Sequence, residues 1–266
     1  MRQSMQLVVG GLVTLVSVNE SLMATTVWVG SADYTQLNSD ATSDEDVVGP
    51  FNTYDFRANS DAVLTATSGN FDTNFDINET FRLVYETKVE SHLLDGSSVT
   101  ASQLNSGYEL SFYSEVDLKV TSIQQTSGVA TTLFDVTGGW GELWFDDTPD
   151  PNFKNGVKIL EGNLNGNFAN TVKFSTNPLV GLVDIMMQVT NYNTAVFDPD
   201  TIDESNGLFS ILLDNVSGSD LNFSADGSMQ FTAVPLPLSI WLFGSALFSL
   251  VGFGRVRRIG TGFAKL

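Results

Sequence analysis

The chain has no cysteine and a single histidine, His92, among its 266 residues. The absence of cysteine excludes disulfide bridges, thiolate nucleophiles and the usual cysteine-bearing zinc sites. His92 lies at the end of a predicted strand with no Gly-x-Ser-x-Gly elbow nearby, so an ordinary strand-end histidine is favoured over a serine-type triad or a metal ligand. A domain of this composition must depend on its hydrophobic core or on bound ions for stability.

Basic residues are also scarce, and the negative charge is concentrated in the middle of the chain. Twelve Lys and Arg residues accompany 31 Asp and Glu residues, which gives a formal net charge of −19. Residues 25–233 contain only seven of the basic residues but 30 of the acidic ones, a net charge of −23. Such a surface repels nucleic acid and anionic lipid unless cations bridge them, so nucleic acid is not an expected partner, whereas divalent cations are attracted. Solvation alone is the alternative explanation of the acidity.

The first 24 residues have the order of a secretory signal peptide. Arg2 supplies a positive charge, Leu7 to Val18 form a short apolar run, and a polar stretch ends at the small residue Ala24. We therefore expect a signal helix, cleavage after Ala24 by signal peptidase, and export of the rest of the chain. A buried N-terminal helix or strand is the alternative.

The C-terminal tail combines a proline motif, an apolar run and a basic cluster. Val234-Pro235-Leu236-Pro237 precedes 17 uncharged residues, Leu238 to Gly254, which Arg255, Arg257 and Arg258 follow. As a transmembrane helix, this run spans roughly 25 Å, close to the ~30 Å hydrocarbon core of a bilayer. The basic cluster would stay in the cytoplasm with residues 259–266 and leave the acidic domain outside. A plain membrane anchor is one interpretation of this pattern.

The same order of features resembles the PEP-CTERM sorting domain. The matching residues are the proline motif Val234, Pro235, Leu236 and Pro237, the apolar residues Trp241, Phe243 and Gly244, and the arginines Arg255, Arg257 and Arg258. In that family an exosortase, a membrane-embedded cysteine transpeptidase or protease, cuts near the proline motif. Leu236 stands where the most common motif has glutamate. The resemblance implies an inner-membrane intermediate in a Gram-negative-type bacterium, and a mature protein on the cell surface or in the extracellular matrix.

Between the two ends, the hydrophobic pattern has the two-residue period of β-strands. Apolar and polar residues alternate from Phe81 to Glu90 and from Tyr108 to Val120. One face of each strand should therefore be buried and the other exposed. The residues predicted to be buried are Phe81, Leu83, Tyr85, Leu110, Phe112, Val116 and Leu118, and those predicted to be exposed are Arg82, Glu86, Glu109 and Lys119.

Further short segments of strand-like composition continue to the proline motif. The last two flank Asp226-Gly227, a two-residue hairpin signal. Because no long window has a helical stripe, the sequence predicts an all-β fold, a single antiparallel β-sandwich of jelly-roll-like type over residues 25–233. The predicted strands are Leu133–Thr137, Gly141–Asp146, Gly156–Glu161, Thr171–Ser175, Val183–Thr190, Leu208–Asp214, Leu221–Ala225 and Ser228–Ala233.

Part of this middle region, about residues 78–165, resembles the body of flocculation-associated PEP-CTERM proteins. The matching segments are Tyr108-Glu109-Leu110, Gly141 to Asp150 and Asn155 to Gly162. The resemblance implies a role in holding cells together in an exopolysaccharide floc or biofilm, with exopolysaccharide as a partner.

Two acidic turns are candidate calcium sites, because calcium takes six to eight oxygen ligands from closely spaced carboxylates and carbonyls. Asp146, Asp147 and Asp150 form the first, and Asp198, Asp200 and Asp203 the second. Neither turn has the spacing of an EF-hand loop, and solvated turns are the alternative. The sequence indicates no other cofactor.

Glycoside hydrolysis needs only two facing carboxylates, and Glu142 and Glu161 are candidates, with Trp140 and Trp144 as sugar platforms. Such residues on a sandwich face more often serve packing or carry solvent-facing charge. The sequence therefore favours a nonenzymatic surface or matrix protein. A secreted carbohydrate-binding or carbohydrate-active domain on the same fold is the alternative hypothesis.

Overall fold

The computed structural model describes residues 26–37, 45–68, 74–164, 168, 170–176, 179–217 and 220–234. The predicted signal peptide with Ala24 lies outside these residues. So do Pro235, Leu236, Pro237, Trp241, Phe243, Gly244, Arg255, Arg257 and Arg258 of the tail. In the described part of the chain, no helix is long and apolar enough to cross a membrane.

The described residues form strands and one short 3-10 helix, Tyr34–Leu37. The strands are β1 (Thr26–Val27), β2 (Gly30–Asp33), β3 (Val47–Phe51), β4 (Thr53–Phe56), β5 (Ser60–Ala66), β6 (Thr80–Leu94), β7 (Ser97–Val99), β8 (Glu109–Thr126), β9 (Val129–Asp146), β10 (Val157–Leu164), β11 (Thr171–Ser175), β12 (Val180–Tyr192), β13 (Phe197–Asp198), β14 (Ile202–Ser217) and β15 (Asp220–Ala233). The prediction of an all-β fold is confirmed.

Twelve of the strands form one antiparallel sheet whose pairings close into a ring. The order is β15, β14, β12, β10, β9, β8, β6 and β4, and β4 pairs again with β15. β5 continues β4 between the same two neighbours, and β11 continues β10 between β9 and β12. Around the ring, these eight strands follow one another in the order in which they occur along the chain. The predicted jelly-roll connectivity would require Greek-key crossings, which this order of pairings does not contain.

Side chains from facing halves of the closed sheet meet in one sandwich-like core. Phe56 of β4 stacks on Phe112 of β8 and on Phe209 of β14, with ring centroids 5.2 and 5.9 Å away. Phe174 of β11 contacts Phe223 of β15. The predicted burial is confirmed for all seven core residues, Phe81, Leu83, Tyr85, Leu110, Phe112, Val116 and Leu118.

A second sheet of three strands, in the order β13, β2, β3, covers one end of this core. Trp28, which precedes β2, packs edge-on against Phe51, Phe197 and Phe231. At the same end, β1 pairs with the last residues of β15, so that Thr26 lies opposite Ala233. The first described strand thus lies beside the end of the last one at the capped end.

The predicted hairpin at Asp226-Gly227 is wrong. Both residues lie inside β15, where Asp226 pairs with Ser210 and Gly227 with Phe209. Gly227 provides space at this position, since a Cβ there would lie 2.4 Å from Cδ1 of Phe209. The glycine therefore accommodates an aromatic ring on the neighbouring strand.

Candidate functional site

The strand alternation predicted that Glu109 is exposed, and this prediction is wrong. The residue is only 1 % exposed, while Arg82 is exposed as predicted and Glu86 and Lys119 are half-buried. Glu109 is buried because the loop between β9 and β10 lies over the first residues of β8. We call this loop, residues 147–156, the covering loop. The amide of Asp150 in this loop donates a hydrogen bond to Oε2 of Glu109 at 3.2 Å.

A buried ion pair joins the covering loop to β6 and β8. Nζ of Lys88, a residue 9 % exposed, lies 2.5 Å from Oε2 of Glu109 and also donates to the carbonyl of Asp150. Burial raises the pKa of Glu109, and Lys88 opposes this shift. The second oxygen, Oε1, is buried and has no hydrogen-bond partner among the described residues.

Two aspartates of the first acidic turn complete a carboxylate cluster with Glu109. Asp146 lies opposite Glu109 in the β8–β9 pairing, and one ligand oxygen from each of Glu109, Asp146 and Asp150 lies within 4.8 Å of the others. Hydrogen bonds from the amide and side chain of Asn152 lower the pKa of Asp150. Asp147, the third predicted ligand of this turn, is not one of the three clustered residues. Sequence reasoning missed Glu109 because the covering loop hides an otherwise ordinary solvent-facing position.

The second acidic turn has a different arrangement. Asp198 and Asp200 are exposed, and Oδ1 of Asp203 accepts a hydrogen bond from Nε2 of Gln188 at 3.0 Å. In the part of the chain that the structure describes, these three residues do not form a carboxylate cluster.

The backbone of the second acidic turn instead contacts both ends of the described chain. The carbonyl of Pro199 accepts the Trp28 indole N–H at 2.9 Å, and that of Thr201 accepts the Val234 amide at 3.0 Å. These contacts give the turn a structural role at the capped end.

An aromatic patch, Tyr113 and Trp140, lies on the outer face of β8 and β9. The two rings are stacked, with centroids 5.2 Å apart and planes inclined by 28°. Nζ of Lys154, from the covering loop, lies 3.8 Å from the Tyr113 centroid and 4.8 Å from that of Trp140. Beside the patch is an open groove of about 290 Å³, lined by Trp140, Gly141, Glu142, Glu161, Gly162, Asn163 and Thr190.

Glu142 and Glu161 are directly opposite each other on β9 and β10. Lys158 forms an ion pair with both carboxylates, and the Trp144 indole donates to Oε2 of Glu142 at 3.1 Å. The hydrogen bond from Lys158 lowers the pKa of Glu161. A glycosidase acid needs the opposite shift, so that one carboxyl group keeps its proton near neutral pH. The shift at Glu161 therefore does not favour a role as the acid.

His92 is fully buried within β6. Its Nε2 lies 2.8 Å from the hydroxyl of Tyr34, which lies 2.8 Å from the hydroxyl of Tyr54. Burial lowers the pKa of His92 to about 3, so the ring is neutral at physiological pH. These contacts place the histidine in the core beneath the small sheet.

No protein-family model matches this chain, and no curated protein or solved structure matches it either. The carboxylate cluster and the aromatic patch must therefore be interpreted from their own geometry and chemistry. The first brings three carboxylates together beside one lysine, and the second places two stacked aromatic rings and Nζ of Lys154 beside a polar groove.

Proposed function

We propose that this protein is an exported, nonenzymatic component of a bacterial cell surface or extracellular matrix, sorted through its C-terminal tail by an exosortase. The observation that carries the proposal is the order of proline motif, 17-residue apolar run and arginine cluster. In this account, a signal helix over residues 1–24 directs export, and a helix over Leu238 to Gly254 holds the chain in the inner membrane until cleavage. The mature all-β domain then contributes to flocculation or biofilm.

The position of the proline motif relative to the folded domain supports this account. β15 ends at Ala233, and Val234, the first residue of the motif, is exposed. A membrane protease needs access to its cleavage site, which a motif inside a sheet would deny. Because Thr26 lies opposite Ala233, both proposed cleavage positions adjoin the capped end of the domain.

The test is to replace Pro235 and Pro237 with alanine in the full chain and follow its fractionation. Two matched hosts, one with an exosortase and one without, should be compared. We expect the wild-type chain to lose its C-terminus only in the host with the enzyme, and the variant to stay membrane-bound and uncut in both.

A matched control replaces two exposed prolines of the covering loop, Pro149 and Pro151, with alanine. This variant should be cut like the wild-type chain. If the wild-type chain keeps its C-terminus in both hosts, the tail is a permanent anchor and the sorting proposal fails.

A second candidate function, carbohydrate binding, is favoured by the aromatic patch. Trp140, which stacks on Tyr113, lines a groove that also contains Glu142, Glu161 and Asn163. Sugar rings pack on aromatic faces while their hydroxyl groups bond to carboxylates and amides, the combination common in small-molecule sites. Since residues 25–233 carry a net charge of −23, a neutral polysaccharide is the expected ligand class.

Affinity electrophoresis through gels containing dextran or laminarin tests this function. Replacing Trp140 with alanine should weaken retardation roughly two- to tenfold, since an aromatic contact contributes about 0.5–1.5 kcal/mol. Trp140→Phe keeps a ring and is the control, with retardation near that of the wild-type chain. Equal migration of the wild-type and alanine forms in every glucan gel would count against carbohydrate binding at this patch.

A further inference from the structure

One carboxylate oxygen of Glu109 is buried and lacks a hydrogen-bond partner in the described part of the chain. Glu109 is 1 % exposed, and its Oε1 has no hydrogen bond within the described residues, although its Oε2 receives both Lys88 and the amide of Asp150. An unsatisfied buried polar atom is costly and rare in native proteins. Something outside the described protein atoms is therefore expected to contact Oε1.

The charge around this oxygen indicates what that partner is. Glu109, Asp146 and Asp150 contribute three carboxylates within one small volume, and Lys88 contributes a single positive charge. When all four groups are ionised, the cluster carries two excess negative charges. One divalent cation would make it neutral, and a carboxylate oxygen is a suitable ligand for such an ion.

We propose that Glu109, Asp146 and Asp150 together bind one calcium ion at the base of the covering loop. The donors are all oxygen atoms, which excludes the nitrogen and sulfur sets that zinc prefers. Magnesium demands near-ideal octahedral geometry and keeps most of its water, whereas calcium accepts irregular sets completed by backbone carbonyls and water. Lys88 holds Oε2 of Glu109 and leaves Oε1 for the ion.

Calcium at this position would also stabilise the conformation of the covering loop. Two of the three ligands, Asp146 and Asp150, flank the start of the loop, and Lys154 of the same loop lies over Tyr113 and Trp140. The ion would thus fix the residues that border the aromatic patch. The order of the loop does not depend on carbohydrate binding at the patch.

The test uses the full chain in detergent, stripped with a chelator and then titrated with calcium chloride alone. We expect calorimetry to give one calcium ion per chain, and calcium to raise the melting temperature more than magnesium does, because a ligand specific to the folded state stabilises it by mass action. Asp146→Asn removes one half-buried ligand charge and should abolish both the heat signal and the calcium-specific shift. Asp200→Asn, in the second acidic turn, is the matched control and should retain both.

Glu109→Gln should lose calcium binding as well. If this variant fails to fold, Asp146→Asn alone tests whether the cluster binds calcium. Equal shifts with calcium and magnesium, or no calcium heat in the wild-type chain, would overturn the proposal. Unchanged calcium binding in Asp146→Asn, or its loss in Asp200→Asn, would also overturn it.

Discussion

His92 and Glu109 are both buried, but their surroundings differ. His92 is neutral because its surroundings are aromatic rings and hydroxyl groups, chiefly those of Tyr34 and Tyr54. Glu109 instead has the buried ammonium of Lys88 beside it. Removing either Lys88 or Glu109 would leave the charge of the other without compensation. Substitution of this pair and titration of His92 should therefore both affect stability.

The protonation of His92 predicts a loss of stability in acid. Its folded pKa of about 3 lies below the unfolded value of 6.5, so the stabilisation is fully present above pH 6.5 and is lost as the pH falls toward 3. Between pH 7 and pH 4.5 the loss from this residue should be roughly 2 to 3 kcal/mol. Urea unfolding of the full chain at several pH values measures it.

The control is His92→Gln, which keeps a polar side chain near the Tyr34 hydroxyl but does not titrate. Carboxylates titrate in both forms, so the difference in unfolding free energy between wild type and variant isolates His92. The unfolding free energy of wild type minus that of the variant should fall by roughly 2 to 3 kcal/mol between pH 7 and pH 4.5. A difference independent of pH would mean that the buried ring is not excluded from protonation.

At the scale of elements, the long β8–β9 pair depends on a glycine at an irregularity. The register shifts between Asp117 and Leu118, where Thr137 of β9 has no opposite residue, and the neighbouring Gly138 and Gly139 lie opposite Asp117 and Val116. Gly139 has φ of +141°, and a Cβ there would lie 2.3 Å from the carbonyl oxygen of Glu115. Only glycine fits this position beside the bulge without displacing the neighbouring backbone.

Gly139→Ala should therefore destabilise the fold by about 1–3 kcal/mol, the usual cost of a strained backbone position. The adjacent Gly138→Ala is the matched control, because the nearest atom to its added Cβ would be 3.8 Å away. Denaturant unfolding of both variants should place the Gly138 variant close to wild type. Equal losses for the two variants would contradict the close approach to Glu115.

The elements show which features a period-two pattern can predict. Alternation correctly identified the buried faces of β6 and β8, because a strand buried on one face has an apolar residue at every second position. It divided β9 into two strands at Gly138-Gly139 and β15 at Asp226-Gly227. A glycine that allows a close backbone approach or makes room for a ring cannot be distinguished locally from one in a turn. Closure of the sheet left no local trace either, because it depends on pairing between distant segments.

At the candidate sites, too, the sequence predicted what lies close along the chain and missed what depends on contacts between distant segments. The sequence placed Asp146 and Asp150 in one acidic turn and Trp140 near Glu142, because these residues are close along the chain. It missed Glu109 and the stacking of Tyr113 on Trp140, which follow from the β8–β9 pairing and the covering loop. It also grouped Asp198, Asp200 and Asp203, whose carboxylates do not converge within the described structure.

At the scale of the whole molecule, charge and topology separate the domain from its ends. The net charge of −23 lies on residues 25–233, while the tail is uncharged until Arg255. Thr26 and Ala233 pair at the capped end of the closed sheet, so the chain enters and leaves the described domain at the same end. Removal of both segments would leave every described strand intact.

Intact-mass spectrometry of the extracellular form, from a host with an exosortase, tests the central proposal that the chain is matured at both ends. The proposal predicts a single species that begins at Thr25 and ends within Val234 to Pro237, lacking the apolar run and the arginines. An extracellular or surface form whose mass requires a C-terminus at Leu266 would contradict it.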